Sequence, residues 1–237
     1  MLRKVGIEAY RYSIHTSTGA QLDRLLKHCH IDLVLDVGAN SGQYAAGLRA
    51  HGYAGRIVSF EPLTAAHARL TAAARGDPHW SIAPRMALGD ADGTVDLHVA
   101  ANSFSSSILD MLPAHERAAP GSGYVAKETV SLKRLDDIAG EFLVDSRRVL
   151  LKIDTQGYEG RVLAGATNLL DNVTAIQAEL SLVPLYAGQP LFDEVREKIE
   201  AQGFVLYAVF PGFIDAQTGQ TLQLDGFFLR RELVKSS

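Results

Sequence analysis

The chain has 237 residues, 47% of them hydrophobic and 21% charged, which is enough apolar material for one sizeable core. A net charge of −4 leaves no basic footprint and argues against a nucleic-acid partner, a local pair such as Arg147 and Arg148 aside. Cys29 is the sole cysteine, the first thirty residues hold no continuous apolar stretch of the signal-peptide kind, and no run approaches the roughly 20 apolar residues that span a bilayer, so a cytoplasmic protein without a transmembrane segment is expected.

In chain order, Leu22, Leu25, Leu26 and Cys29 mark one face of a helix, and residues 1–30 read as a helical segment laid on the core. From residue 31 to 237 a single α/β domain is expected, because short β-rich runs alternate with helical patterns. Strands are predicted from Asp32 to Val37, Arg56 to Phe60, Trp80 to Leu88, Val149 to Ile153 and Val173 to Leu180. Helices are predicted from Gln43 to about Ala50, from Leu63 to Ala74, and around Leu191, Phe192, Val195 and Ile199. Phe204 to Phe210 and Leu224 to Leu229 flank turn chemistry at Pro211-Gly212 and Thr218-Gly219, which predicts an antiparallel pair. An insert at about 94–132 interrupts the alternation: two short strands, Thr94 to Val99 and Thr129 to Leu132, enclose a Ser-, Ala-, Gly- and Pro-rich loop over 100–127 that reads as a lid or as surface loop.

The stretch LVLDVGANSGQY carries the first functional signal. Ligands of an open α/β sheet sit at the carboxyl ends of its strands, and the turn after the first strand is the usual anchor. Gly38 and Gly42 let backbone approach a ligand, Asp36 offers a carboxylate at the same edge, and Asn40 and Ser41 add polar atoms and a candidate helix cap. Glu61, in IVSFEP, stands at the tip of the second strand, where a carboxylate accepts the hydroxyls of a ribose. A dinucleotide and S-adenosyl-L-methionine both fit a glycine turn plus a ribose acid. The dinucleotide fingerprint G-x-G-x-x-G needs a glycine where this chain has Asn40, whereas D-x-G-x-x-x-G suits a ligand without phosphate whose ammonium pairs with Asp36. The sulfonium cofactor is therefore preferred, with a nicotinamide-dependent oxidoreductase as the alternative.

DVGANSGQY, FEP, ALGD, LKIDTQGYEGRVLAGA preceded by SLKRLDDI, and DGFFLRR occur in the order and spacing of the FkbM-like family of S-adenosylmethionine-dependent class I methyltransferases. The chain resembles that family over about residues 33 to 231; the first two motifs are shared by class I methyltransferases generally, and KIDTQGYEG is the specific one. The resemblance implies a Rossmann-like sheet of seven main strands with the last antiparallel, plus the inserted pair. It also implies methyl transfer to a hydroxyl of a sugar, glycolipid or polyketide-type natural product. Asp36, Gly38, Asn40, Gly42 and Glu61 would then line the cofactor, with Ala87 and Leu88 near the adenine; the serine run Ser105-Ser106-Ser107 reads first as loop composition and second, since a similar serine pair follows the inserted strand in the family, as a contact to cofactor or acceptor. Many relatives carry EGAE where this chain has Gln156-Gly157-Tyr158-Glu159.

Methyl transfer to oxygen asks for positioning and a base. Strand alternation puts Lys152 and Asp154 on one face, and Gln177 and Glu179 on one face of the next strand. With those strands adjacent, as the resemblance implies, Lys152, Asp154 and Glu179 form the catalytic cluster, with Asp154 nearest the acceptor hydroxyl. The competing readings are a self-satisfied buried ion pair and, for Asp154, a helix cap. Two carboxylates also suit Mg²⁺, but no ligand spacing demands a metal, and the adjacent His28, Cys29 and His30 point apart on a helix, so no metal site is expected. No N-P-P-Y or D-P-P-Y stretch supports amino-methylation of bases, and a non-catalytic cofactor-binding module is the remaining alternative.

Overall fold

The computed structural model describes residues 9–234. Helix α1 (Thr18–His28) starts where Ser17 Oγ accepts from the amide of Ala20 at 3.3 Å, and it buries Leu25 and Leu26. The N-terminal helix is thus confined to these residues: 9–17 are not helical, and 1–8 lie outside the described residues. Then come β1 (Leu33–Val37), α2 (Gln43–Ala50), β2 (Arg56–Phe60), α3 (Thr64–Ala73) and β3 (Trp80–Ile82). All five residues of β1 are buried, as a strand covered by helices on both faces requires, and fully burying each Leu or Val is worth about 1.5–3 kcal/mol.

The run expected to be one strand from Trp80 to Leu88 divides. Pro84 lacks the amide that would carry the ladder onward, and β4 (Ala87–Leu88) leaves the main sheet to pair with β6 (Tyr124–Lys133) instead. β5 (Gly93–Ala100) runs antiparallel to β6, so the insert forms a three-stranded sheet in the order β4-β6-β5, with α4 (Pro113–Ala118) between the two long strands. The chain continues through α5 (Leu135–Ile138), β7 (Val149–Ile153), α6 (Glu159–Ala164), β8 (Val173–Ser181), α7 (Phe192–Ala201), β9 (Phe204–Pro211), β10 (Gln223–Arg230) and α8 (Arg231–Val234).

The seven-stranded sheet has the order β3-β2-β1-β7-β8-β10-β9. Its first five members are parallel, and β10, the last in sequence, runs antiparallel to both β8 and β9. One face buries Leu35, Leu151, Ile176 and Phe228; the other buries Val34, Leu150, Ala175 and Phe227 beneath α1 and α2. Strand order reverses between β1 and β7, whose register sets Asp36 beside Lys152. Side chains of the turns after β1 and β7 therefore converge at one edge, at the switch point of the sheet. Among the described residues no helix is long and apolar enough to cross a membrane.

Candidate functional site

The turn after β1 is shaped by its backbone. Gly38 has φ +78°, and a Cβ there would sit inside the contact shell of the Asp154 carbonyl oxygen, so only glycine lets the β1 and β7 turns meet. Gly38 and Ala39 donate to the Phe60 carbonyl at 3.1 and 3.0 Å, and the amide of Asn40 donates to Glu61 Oε2 at 2.8 Å. Glu61 Oε1 accepts from Leu63 at 2.8 Å, so one carboxylate clips the β1 turn to the tip of β2. Glu61 is 4% exposed; burial pushes its carboxyl up to about 7, against the pull of the Leu63 and Asn40 amides.

Two expectations for this turn change. Gly42, at φ +92°, is itself the cap residue of α2, with no side-chain hydrogen bond, so neither Asn40 nor Ser41 caps the helix. Gly42 packs against Trp80 and Leu70, where a Cβ would be pressed to 2.9 and 3.0 Å, and this places it behind the turn instead of on the cavity. Asp36 is fully buried, 3.1 Å from the Lys152 ammonium and accepting from Ser59 Oγ at 3.1 Å. It is not a cavity-lining residue: parallel neighbours on both sides turn it toward Lys152, whose ammonium lies 5.2 Å from the Tyr44 ring centroid.

At the β7–β8 edge the expected cluster assembles. Lys152 Nζ lies 3.5 Å from Asp154 and donates to the Gly38 carbonyl at 3.2 Å. Burial works against its charge, but Asp36 and then Asp154 hold its pKa above the usual range. Gln156 Nε2 donates at 2.9 Å both to Asp154 Oδ1 and to Glu179 Oε2, and Gln223 Nε2 donates to the same Glu179 oxygen at 2.7 Å. Burial, then Asp154 and Glu159, raise Glu179 well above the ordinary carboxylate range, and burial brings Asp225 to about 6. Asp154 caps no helix. Glu159, the first residue of α6, fastens the turn by accepting from the Thr155 and Gly157 amides at 2.8 and 3.2 Å, and burial raises its pKa. Sequence reasoning missed the roles of Gln156, Glu159, Gln223 and Asp225, although Gln156 and Glu159 stand inside the motif it singled out.

Between these two walls lies a cavity of about 390 Å³. Gly38, Asn40, Glu61, Ala87, Leu88, Asp154 and Glu179 line it; Lys152 does not, and touches the lining through Asp154 and the Gly38 carbonyl. The insert closes one side with Phe104, Ser105, Ser106 and the buried His115, whose pKa burial lowers. The loop is tied down: Ser107 Oγ donates to the Gln156 carbonyl at 2.7 Å, and Asn40 and Ser103 side chains meet at 3.4 Å. His28 and His30 flank the buried Cys29 away from this cavity, and among the described residues no group of three His, Cys, Asp or Glu is placed to hold a metal ion.

A parallel sheet with one antiparallel strand in this order, a glycine turn after β1 and an acid at the tip of β2 define a Rossmann-like methyltransferase. The match of residues 36–206 to the Methyltransferase FkbM domain goes further: the chain belongs to the FkbM methyltransferase family, and S-adenosyl-L-methionine is its expected cofactor. No curated protein matches the chain. Among solved structures it is similar to magnesium protoporphyrin IX methyltransferase from Synechocystis PCC 6803, at 11% identity and TM-score 0.49, over 96% of this chain and 88% of that one. It is also similar to fibrillarin from Aeropyrum pernix, at 10% identity and TM-score 0.48, over 84% and 66%. The residues present fit the cofactor. Each Glu61 oxygen holds one backbone amide and keeps a lone pair for a ribose hydroxyl, and Gly38, packed on the Asp154 carbonyl, brings the backbone of the β1 turn to the cavity wall.

Proposed function

We propose that the chain is an O-methyltransferase acting on a hydroxyl of a sugar, glycolipid or polyketide-type natural product. The observation that carries this reading is Asp154, partly exposed at the cavity beside a buried ammonium, with its other oxygen engaged by Gln156. S-adenosyl-L-methionine supplies an electrophilic methyl group when bound. Glu61 and the Gly38–Asn40 turn hold the nucleoside end, Ala87 and Leu88 give the adenine an apolar surface, and Asp154 orients the acceptor hydroxyl and accepts its proton. Lys152, 3.5 Å from Asp154, holds that carboxylate in place for the task. A small-molecule or glycolipid acceptor accords with a cavity that mixes these polar groups with Leu97, Phe104, Ile108 and Phe213.

The test is incubation with methyl-labelled cofactor and fractionated metabolite extract, followed by mass spectrometry. The expected product gains one methyl group that survives mild alkali, as an ether does and an ester does not. Label found only on nitrogen or carbon would sink the assignment to oxygen. A chelator in the same assay distinguishes a carboxylate base, which keeps its activity, from carboxylates that act through Mg²⁺.

A further inference from the structure

At the end of the cavity walled by the insert stands His115 of α4, 3% exposed and part of the lining. Its ring is fixed on several sides. The Tyr186 ring lies 5.2 Å away, centroid to centroid, and the Phe213 ring 5.5 Å. Nδ1 is 3.2 Å from the Oγ of Ser122, which is fully buried and also donates to Met111 Sδ at 3.5 Å. Nε2 forms no hydrogen bond among the described residues. A buried imidazole with one nitrogen held and the other unpartnered at a cavity wall is short of one hydrogen bond, which a molecule in the cavity can supply. A hydroxyl suits it in either tautomer, since a hydroxyl both donates and accepts.

The neighbouring polar side chains are already engaged with the protein. Tyr186 Oη donates to Gln156 Oε1 at 2.8 Å, Ser105 Oγ accepts from Asn102 Nδ2 at 3.0 Å, and Ser106 Oγ accepts from the Ala100 amide at 2.9 Å. Beside His115 the lining is otherwise apolar, with Ala119 and Phe213. A sugar ring carries a hydroxyl on most of its carbons and would leave several of them without partners here, whereas an aryl ring packs on these side chains and needs a partner only for the hydroxyl it bears. The two walls are linked. One ring, that of Tyr186, separates His115 from Gln156, whose amide donates to Asp154.

Resting on the hydroxyl-methylation reading, we propose that His115 is the specificity-determining residue of an acceptor subsite, its Nε2 hydrogen-bonded to a second hydroxyl of a flat, largely apolar ring system whose first hydroxyl lies at Asp154. This selects the polyketide-type acceptor from the three classes. Sugar head groups do not suit the subsite, because it offers one free hydrogen-bonding nitrogen among rings and methyl groups.

The experiment titrates the full chain, saturated with S-adenosylhomocysteine, with three probes by calorimetry: β-naphthol, a dihydroxynaphthalene with its hydroxyls at opposite ends, and methyl β-glucopyranoside. Wild type, His115→Phe and His115→Gln are compared. With two hydroxyl sites the diol should bind wild type about three- to tenfold more tightly than β-naphthol, the usual worth of one more hydrogen bond. In His115→Phe one site is left and the two should tie, while His115→Gln, whose amide reaches toward the place of Nε2, should restore the preference. The glucoside should bind more weakly than either. In ¹⁵N spectra of wild type the diol should shift His115 Nε2 more than Nδ1, which Ser122 already holds. A diol preference that survives His115→Phe, equal or absent binding of the two aryl probes in wild type, or a glucoside that outbinds the diol overturns the proposal. Should His115→Phe fail to fold, the ¹⁵N shift of wild type decides. None of these readouts needs methyl transfer, so label found on nitrogen would sink the proposed reaction while they still judge the subsite.

Discussion

On the β1–β2 wall of the cavity one carboxylate, Glu61, meets two backbone amides beside a turn that has no side chain at Gly38; on the β7–β8 wall Asp154 and Glu179 meet the side-chain amides of Gln156 and Gln223. Backbone donors are fixed by the fold, and any chain with the right turn reproduces them. Side-chain donors must each be specified and held. The first wall therefore suits a ligand common to a whole class of enzymes, the second a reaction that differs from member to member.

The sharpest way to break that division is Asp154→Asn. If chemistry lives on the second wall, turnover should fall by something like 10² to 10⁴, while S-adenosylhomocysteine binding, measured by calorimetry, stays nearly unchanged. Near-normal turnover would remove Asp154 from the chemistry. Next in size is the ligand itself: S-adenosylhomocysteine at about 100 times its Kd should stabilise the fold by about 2.7 kcal/mol, roughly 5 to 10 degrees in Tm, and NAD should not. A response to NAD alone would return the site to the dinucleotide reading. A smaller effect, about 1 to 2 kcal/mol in cofactor affinity, is expected for Glu61→Gln, which keeps one acceptor oxygen for the backbone but loses the second. The glutamine is the cleaner substitution, because alanine would strand the buried amides of Asn40 and Leu63.

The same division decides how much was legible in the sequence. β1, α2 and β2 stand where the pattern of LVLDVGANSGQY and IVSF places them, because an apolar run, a glycine turn and a helical period are local signals. The break after Ile82 was hidden because β4 is drawn off by β6, some forty residues later, and no local pattern reports that pairing. Asp36 reads as a ligand-facing acid only while its cross-strand partner is unknown; the parallel pairing of β1 with β7 gives it Lys152. Period-two alternation did bring Lys152, Asp154 and Glu179 together, since it needs only that the two strands be neighbours. Gln156 escaped notice for the opposite reason: its left-handed backbone turns the side chain back over the strand ends, a direction that no periodicity encodes.

The smallest predicted effect sharpens the comparison through pH. Glu61, with its carboxyl at about 7, and the raised Glu159, Glu179 and Asp225 all bind a proton more tightly in the folded chain than in the unfolded one. The stability each contributes is complete below its unfolded pKa, near 4, and is lost as pH rises through the folded value, so the apo protein should weaken between pH 6.5 and 8. His115 has the opposite sign: its pKa is lowered, and what it contributes is lost as pH falls below about 6.5, which sets the lower edge of the window. Asp77, Asp92 and Asp215, lowered by their hydrogen bonds, act only at more acid pH. Glu61 alone should cost on the order of 1 kcal/mol across this range, or about 2 to 4 degrees, and the acids of the second wall add to it. Calorimetry of the apo protein at the two pH values should give the lower Tm at pH 8, and Glu61→Gln should remove only the Glu61 share of the slope. A Tm that is equal or higher at pH 8 would mean that these carboxyls are ionised in the fold already; a slope abolished by Glu61→Gln would put the whole proton store on the first wall and leave the second without one.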